Sequence, residues 1–160
     1  MTSGKPVSHA TDGARTARPV VLIAMRDPIE RSAATAALRA WGCATLEAAD
    51  GVAALRICGR YPRLLAVVVA DLLLPTLNGR QLLNALRWAR QEVPVLLCGG
   101  YQVDEVRERA TLAPDTPYLP RPWAVPDLLA RVEELMDGRF VGELRLRATR
   151  EQRQEKQDLP

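Results

Sequence analysis

The run Val67-Val68-Val69-Ala70-Asp71-Leu72-Leu73-Leu74-Pro75-Thr76-Leu77-Asn78-Gly79 restricts the fold of this chain more than any other stretch. Its apolar residues do not alternate with polar ones, so both faces of the strand they form must be covered. Strands of that kind belong to parallel sheets with helices on each side. The run ends in a single carboxylate, after which Pro75 and Asn78-Gly79 break the chain and Asn78 can cap a following helix. Open parallel sheets place their sites beyond the carboxyl ends of the strands, which puts Asp71 where chemistry is expected. An Asp that only starts a turn is the plainer alternative, and this run alone leaves it open.

The rest of the chain repeats the strand-then-helix pattern. Residues 20–25 read as a second fully buried strand, followed by Arg26-Asp27-Pro28. A helix is predicted over 29–41, with Pro28 suited to its first turn and Gly42 just past its end. A short edge-like strand at 44–48 precedes a helix that Asp50-Gly51 begins and Gly59 stops. After the Asp71 strand come a helix over 79–90 with Leu82, Leu83 and Leu86 on one face, a strand over 93–98 and a weaker helix over 103–112. The chain closes with a very short strand at 118–119, a stiff Pro120-Arg121-Pro122-Trp123 loop and a helix over 126–136. Five strands alternate with five helices. The expected fold is therefore α/β, a single doubly wound five-stranded parallel sheet of flavodoxin-like type with strand order 2-1-3-4-5.

Residues 1–18 lack an apolar period and read as a disordered leader, and 137–160 read as a charged tail, helical or disordered. The domain is expected over 19–136. That span carries thirteen Arg and thirteen Asp or Glu, so the net charge of +3 belongs to the ends. A neutral domain argues against a nucleic-acid partner. The longest apolar runs fall short of the roughly 18–20 residues a membrane span needs, so no membrane contact is expected and the location is taken as cytoplasmic. Cys43, Cys58 and Cys98 have neither paired nor metal-ligand spacing and read as reduced core thiols, while His9 stands alone and offers no zinc site. No Gly-rich phosphate loop or catalytic-triad spacing is present, and the chain is not expected to be an enzyme.

Four segments in register carry a resemblance to a family. Asp71-Leu72-Leu73-Leu74-Pro75-Thr76-Leu77-Asn78-Gly79 is similar to the D-x-x-[ML]-P-x-x-[DN]-G motif of receiver domains of two-component response regulators. Leu46-Glu47-Ala48-Ala49-Asp50-Gly51, Pro94-Val95-Leu96-Leu97-Cys98-Gly99-Gly100-Tyr101 and Tyr118-Leu119-Pro120-Arg121-Pro122-Trp123 resemble further family segments, in the right order. The resemblance implies that Asp71 is the phosphoacceptor for a histidine kinase, with Mg²⁺ in an acidic pocket. A carboxylate attacking a charged phosphoryl group needs a cation and donors around the equatorial oxygens.

Carried over residue by residue, only the nucleophile is intact. The family's acidic pair falls on Met25 and Arg26, its Ser or Thr on Gly99 and its Lys on Arg121, while Asp27 matches the acidic residue that often follows the pair. The metal ligands left are Asp27 and Asp71, aided at most by a backbone carbonyl near Leu73, so Mg²⁺ binding is expected to be weak or absent. The formal charges of Asp27, Asp71, Arg26 and Arg121 cancel, against about minus two for a family-type pocket. Arg26 or Arg121 is expected to pair with Asp71 where the metal would stand.

In the family the Ser or Thr moves toward the phosphoryl group and an aromatic on the fifth strand turns inward. Here the aromatic is Tyr118 and its partner Gly99 has no hydroxyl. The Arg121-Pro122 bond matches one that is usually cis in the family, and a cis bond is expected. Tyr101 and Trp123 read as partner contacts or as core packing. Two functions follow. The first is a stand-alone receiver-like protein with a degenerate pocket, acting mainly by docking to a histidine kinase or another signalling protein, or as a homodimer through its fourth-helix to fifth-helix face. The other is a conventional receiver phosphorylated on Asp71 with Mg²⁺.

Overall fold

The computed structural model describes residues 18–109 and 112–136, together with the single positions 153 and 157. The expected leader, apart from Arg18, and the expected tail, apart from those two positions, lie outside the described residues, as does His9. The elements run β1 (Val20–Ala24), α1 (Pro28–Trp41), β2 (Ala44–Ala48), α2 (Gly51–Arg60), β3 (Leu65–Asp71), α3 (Gly79–Trp88), β4 (Val95–Gly99), α4 (Val103–Arg109), β5 (Tyr118–Pro120) and α5 (Val125–Leu135). All strand pairs are parallel, in the order β2-β1-β3-β4-β5.

The absence of alternation in the strands has the structural cause the sequence suggests. Leu22, Ala24, Val68, Ala70 and Leu97 point into one core, under Leu82, Leu83 and Leu86 of α3 and Ala54 and Cys58 of α2. Val21, Ile23, Val67, Val69, Leu96 and Cys98 point into a second core, under Ala34 and Leu38 of α1 and Leu128 and Val132 of α5. β1, β4 and β3 up to Asp71 are apolar along their length because both faces are covered, whereas the edge strand β2 carries Thr45 and Glu47 and is only partly buried. Cys43, Cys58 and Cys98 are buried free thiols.

Caps fix where the helices begin, and hence the loops around Asp71. Asp27 Oδ1 accepts from the Ile29 amide at 2.9 Å, and Pro28 fills the first turn of α1. Asp50 Oδ1 accepts from the Ala53 amide at 2.8 Å at the start of α2. Asn78 and Gln81 exchange bonds of 2.8 and 2.9 Å in a capping box at the start of α3. The loop after β3 is joined to α2, because Thr76 Oγ1 donates to Asp50 at 3.2 Å and the Gly51 amide donates to the Pro75 carbonyl at 3.0 Å.

Several boundaries differ from the sequence expectation. The second helix does not stop at Gly59; it runs to Arg60, since Gly59 is in ordinary helical backbone and the Tyr61 amide closes on the Ile57 carbonyl at 3.0 Å. The third helix ends at Trp88, two residues early, where Arg90 takes a left-handed φ of 55° and the Gln91 amide returns to the Leu86 carbonyl. The fourth strand begins at Val95 because Pro94 has no amide to donate, although its carbonyl accepts from the Val68 amide, and it extends through Gly99. The fourth helix is described as far as Arg109; positions 110 and 111 lie outside the described residues, and Leu112, where the expected 103–112 helix ends, is not helical. The fifth helix runs from Val125 to Leu135.

Candidate functional site

Parallel strands bring their carboxyl ends to one edge of the sheet, and there β3 delivers Asp71. Its side chain is 7% exposed. One carboxylate oxygen, Oδ2, accepts from the backbone amide of Arg26 at 3.1 Å, across from the end of β1. The other, Oδ1, forms an ion pair with Arg121 Nη2, from the loop after β5. In the order β1-β3-β4-β5, a side chain from that loop must pass over the end of β4 to reach Asp71. Gly99 ends β4 there, and its carbonyl accepts from the Arg121 amide at 2.7 Å.

The guanidinium is also gripped from its other edge. Arg121 Nε lies 2.8 and 2.9 Å from the two carboxylate oxygens of Glu30, and Trp123 Nε1 donates to Glu30 Oε1 at 2.9 Å. Glu30 occupies the first turn of α1, where the helix dipole favours an anion. Burial opposes the charge on Arg121, but the hydrogen bonds and charges of Glu30 and Asp71 outweigh it, and the pKa is held above that of an ordinary arginine. Behind the site Cys98 is pushed up to about 12 by burial, with Arg121 acting weakly in the opposite direction.

The residues singled out in the sequence divide accordingly. Asp71 and Arg121 meet through their side chains, and Arg26 joins them through its backbone while its side chain is exposed. Met25 is fully buried in the α1 and α5 core. Asp27 is exposed and caps α1. Sequence reasoning missed Glu30, which changes the local formal charge from zero to minus one. A cue existed. Arginine presents donors on two edges where lysine has one head, so an arginine in a lysine's place calls for a second acceptor.

The same donor set tests the implied metal. Both Asp71 oxygens already accept hydrogen bonds, Asp27 is engaged in a cap, and a thioether and a guanidinium stand at the two acidic positions. Among the described residues no group of three His, Cys, Asp or Glu is placed to hold a metal ion. These residues do not fit a resident Mg²⁺.

Beside the pair, Tyr118 lies inside the protein, 5% exposed, with its hydroxyl donating to the Tyr101 carbonyl at 2.8 Å. Burial raises its pKa above the ordinary value. A Cβ on Gly99 would fall 2.7 Å from that hydroxyl, and φ at Gly99 is not in the left-handed region. The glycine is needed for space. Tyr101 is half-buried, as is Trp123, which packs on the α1 and α5 core while its indole N–H is bound to Glu30. The Arg121-Pro122 bond is cis, as expected.

Comparison with known proteins decides the family. The model of the response regulator receiver domain matches residues 21–133. The chain belongs to that family. It is 29% identical over 133 residues to the sensor kinase CckA of Brucella abortus, covering 83% of this chain and 14% of that protein. It is 34% identical over 76 residues to the regulatory protein VanRB of Enterococcus faecalis, covering 48% of this chain and 34% of that protein. The chain thus spans about a third or less of these two relatives' lengths. Among solved structures, a Francisella response regulator receiver domain shares 28% identity at a TM-score of 0.65, over 74% of this chain and 96% of that one. A sensor histidine kinase receiver from Pseudomonas aeruginosa, solved with magnesium in its active-site cleft, shares 25% identity at a TM-score of 0.64, over 79% and 99% of the two chains. This receiver domain therefore has the family fold around a pocket with its own residues, and no helix among its described residues is long and apolar enough to cross a membrane.

Proposed function

We propose that this receiver domain acts in two-component signalling by docking to a partner without phosphorylation of Asp71, using the face made by α4, β5 and α5. The observation that carries the proposal is the guanidinium of Arg121, fixed between Glu30 and Asp71. A carboxylate attacks phosphorus with a free lone pair while a cation offsets the phosphoryl oxygens. Here the cation is bonded to the nucleophile itself and held there by Glu30. The resting pair must break before either group can serve the transfer. Gly99 supports the same reading, because it has no hydroxyl to meet a phosphoryl group and its space is taken by Tyr118.

The partner under this proposal is a histidine kinase or another cytoplasmic signalling protein, or a second copy of the chain, and the domain catalyses no reaction of its own. Phosphorylation remains the competing reading on one observation. Arg121 already reaches the carboxylate, so its guanidinium could neutralise an incoming phosphoryl group without magnesium. Intact mass after incubation with acetyl phosphate and Mg²⁺ separates the two, with an ordinary receiver as positive control. No mass change supports docking without phosphate. A gain of about 80 Da, one phosphoryl group, that Asp71→Ala abolishes would overturn it.

A further inference from the structure

The strands start at the end of the sheet opposite Asp71, and the turns there carry a charge that the balance of the whole domain conceals. β2, β1, β3 and β4 are neighbours, with Val20 level with both Ala44 and Leu65, and Val68 level with Val95. At about 4.8 Å between strands, the turns that feed them lie within about 15 Å along the edge. The Ala44 amide donates to the Pro19 carbonyl at 2.9 Å, which sets Arg18 beside the turn between α1 and β2. Residues 18–19, 39–43, 60–64 and 87–94 hold six arginines, Arg18, Arg39, Arg60, Arg63, Arg87 and Arg90, against one carboxylate, Glu92. All six are exposed. Asp115 stands beyond this stretch, before β5, and Asp27, Asp50 and Asp71 lie at the opposite end of the sheet.

Helix stability accounts for only part of this pattern. Arg39, Arg60 and Arg87 lie in the last turns of α1, α2 and α3, where a cation offsets the helix dipole. Arg18, Arg63 and Arg90 lie outside the helices. Arg31, Arg121 and Arg131 find carboxylates elsewhere in the domain, whereas none of these six forms an ion pair with a described carboxylate. Two large apolar side chains stand among them. Trp88, next to Arg87, is 91% exposed, and Leu64, next to Arg63, is 52% exposed. A lipid interface takes up this combination, with the indole at headgroup level, the aliphatic chain below it and the guanidinium groups on the lipid phosphates. A nucleic acid would use the charges and stack on Trp88 but would leave Leu64 without a role.

We infer that this end of the sheet rests on an anionic lipid bilayer. The arginines pair with lipid phosphates, Trp88 and Leu64 enter the interface, and the Asp71 end is turned away from the lipid. The contact is peripheral and needs no spanning helix. It leaves the α4, β5 and α5 face at the side of the domain free for a partner, and it depends neither on that docking nor on any phosphate on Asp71.

The test uses the full chain, co-sedimented with vesicles of phosphatidylcholine alone or with about one-third phosphatidylserine. Binding to the anionic vesicles only, lost at about 0.5 M salt, is expected. Removing one charge near such a surface weakens binding about fivefold, so Arg60→Gln, Arg63→Gln and Arg90→Gln together should weaken it about a hundredfold. The emission of Trp88, read as the difference between the parent and Trp88→Phe, should shift to the blue on binding. Arg80→Gln, at the start of α3 and more than a Debye length from the lipid, should change binding by less than about twofold. All these positions are exposed, so each variant should keep the parent's amide spectrum. No binding to the anionic vesicles, equal binding to the neutral ones, a triple variant that binds like the parent, an unshifted Trp88, or tighter binding to single-stranded RNA than to the vesicles would each overturn the inference.

Discussion

Gly99 gives the sharpest test of how the pocket is built. Adding one methyl group as Gly99→Ala places a Cβ 2.7 Å from the Tyr118 hydroxyl, 3.3 Å from Cε2 and 3.4 Å from Cζ. The backbone accepts alanine, because φ at this position is not left-handed. By itself the exchange should even stabilise, by about 0.4–1 kcal/mol, through a less flexible unfolded chain. The contact opposes this. A separation of 2.7 Å is too short for a carbon and an oxygen, so Tyr118 must move, breaking its bond to the Tyr101 carbonyl at a cost of about 1 kcal/mol. Repacking a crowded core position adds about 1–3 kcal/mol. The balance is a destabilisation of about 1–3.5 kcal/mol.

Nearly all of that cost traces to one oxygen. Tyr118→Phe removes it, leaving ring carbons at tight but tolerable distances from the new methyl. Urea unfolding of the two single variants and the double variant should therefore give a coupling of about 2–4 kcal/mol, with the double variant more stable than the two single effects predict. Additivity within about 0.5 kcal/mol, or a Gly99→Ala variant more stable than the parent, would refute the steric argument.

Three further outcomes are expected. Glu30→Gln should lower stability by about 1–2 kcal/mol, because it leaves Arg121 and Trp123 with a weaker acceptor in a partly solvated site, and the loss should shrink at high salt in urea melts. Cys43 and Cys58 are each raised by burial from 9.0 to about 11. A raised folded pKa means stability is fully present below the unfolded value and lost as pH rises through the folded one, so urea midpoints should fall between pH 9 and 11, less steeply in Cys58→Ala. Gly51→Ala would bring a Cβ to 1.7 Å from the Leu77 carbonyl oxygen, and it should cost more than about 3 kcal/mol or separate α2 from the loop after β3, seen as lost amide protection at residues 75–79.

Legibility in the sequence followed the reach of the interactions. The unbroken apolar strands gave the two-faced parallel sheet directly, since the cause is local and repeated. Asn78 signalled the α3 cap and Pro28 the first turn of α1, again within a few residues. Gly59 misled because glycine is a weak stop where the following residues still find helical acceptors. The end of α3 was hidden in Arg90, whose left-handed backbone no side chain announces. At the site, Arg121 and Asp71 could be matched from motifs, but Glu30 could not, because 91 residues separate it from Arg121 and only the closed sheet brings them together. Met25 and Asp27 stand at pocket positions in the linear pattern, yet one side chain turns into the core and the other into a cap.

The departures at the pocket support one another, and that bears on how they should be tested. Replacing a lysine with Arg121 gives the cation a second hydrogen-bonding edge, and Glu30 uses it. With Arg121 on Asp71, carboxylates at positions 25 and 26 would have no cation left to attract them and would repel both Asp71 and Glu30. With Gly99 in β4, Tyr118 can sit inward over the space a hydroxyl would need. Restoring the family residue at 99 or 121 alone therefore disturbs an existing contact without rebuilding a phosphorylation site. Gly99→Ser alone meets Tyr118, and Arg121→Lys alone leaves Glu30 and Trp123 half paired. Only joint replacement, with Asp at 25 and 26, Ser at 99, Lys at 121 and an apolar residue at 30, frees Asp71 and reassembles an acidic cluster. If that fivefold variant takes up a phosphoryl group from acetyl phosphate with Mg²⁺ while the single variants do not, the pocket lost phosphorylation through coupled substitutions on an intact scaffold. If it fails while remaining folded, the obstacle lies in the loops that carry these residues.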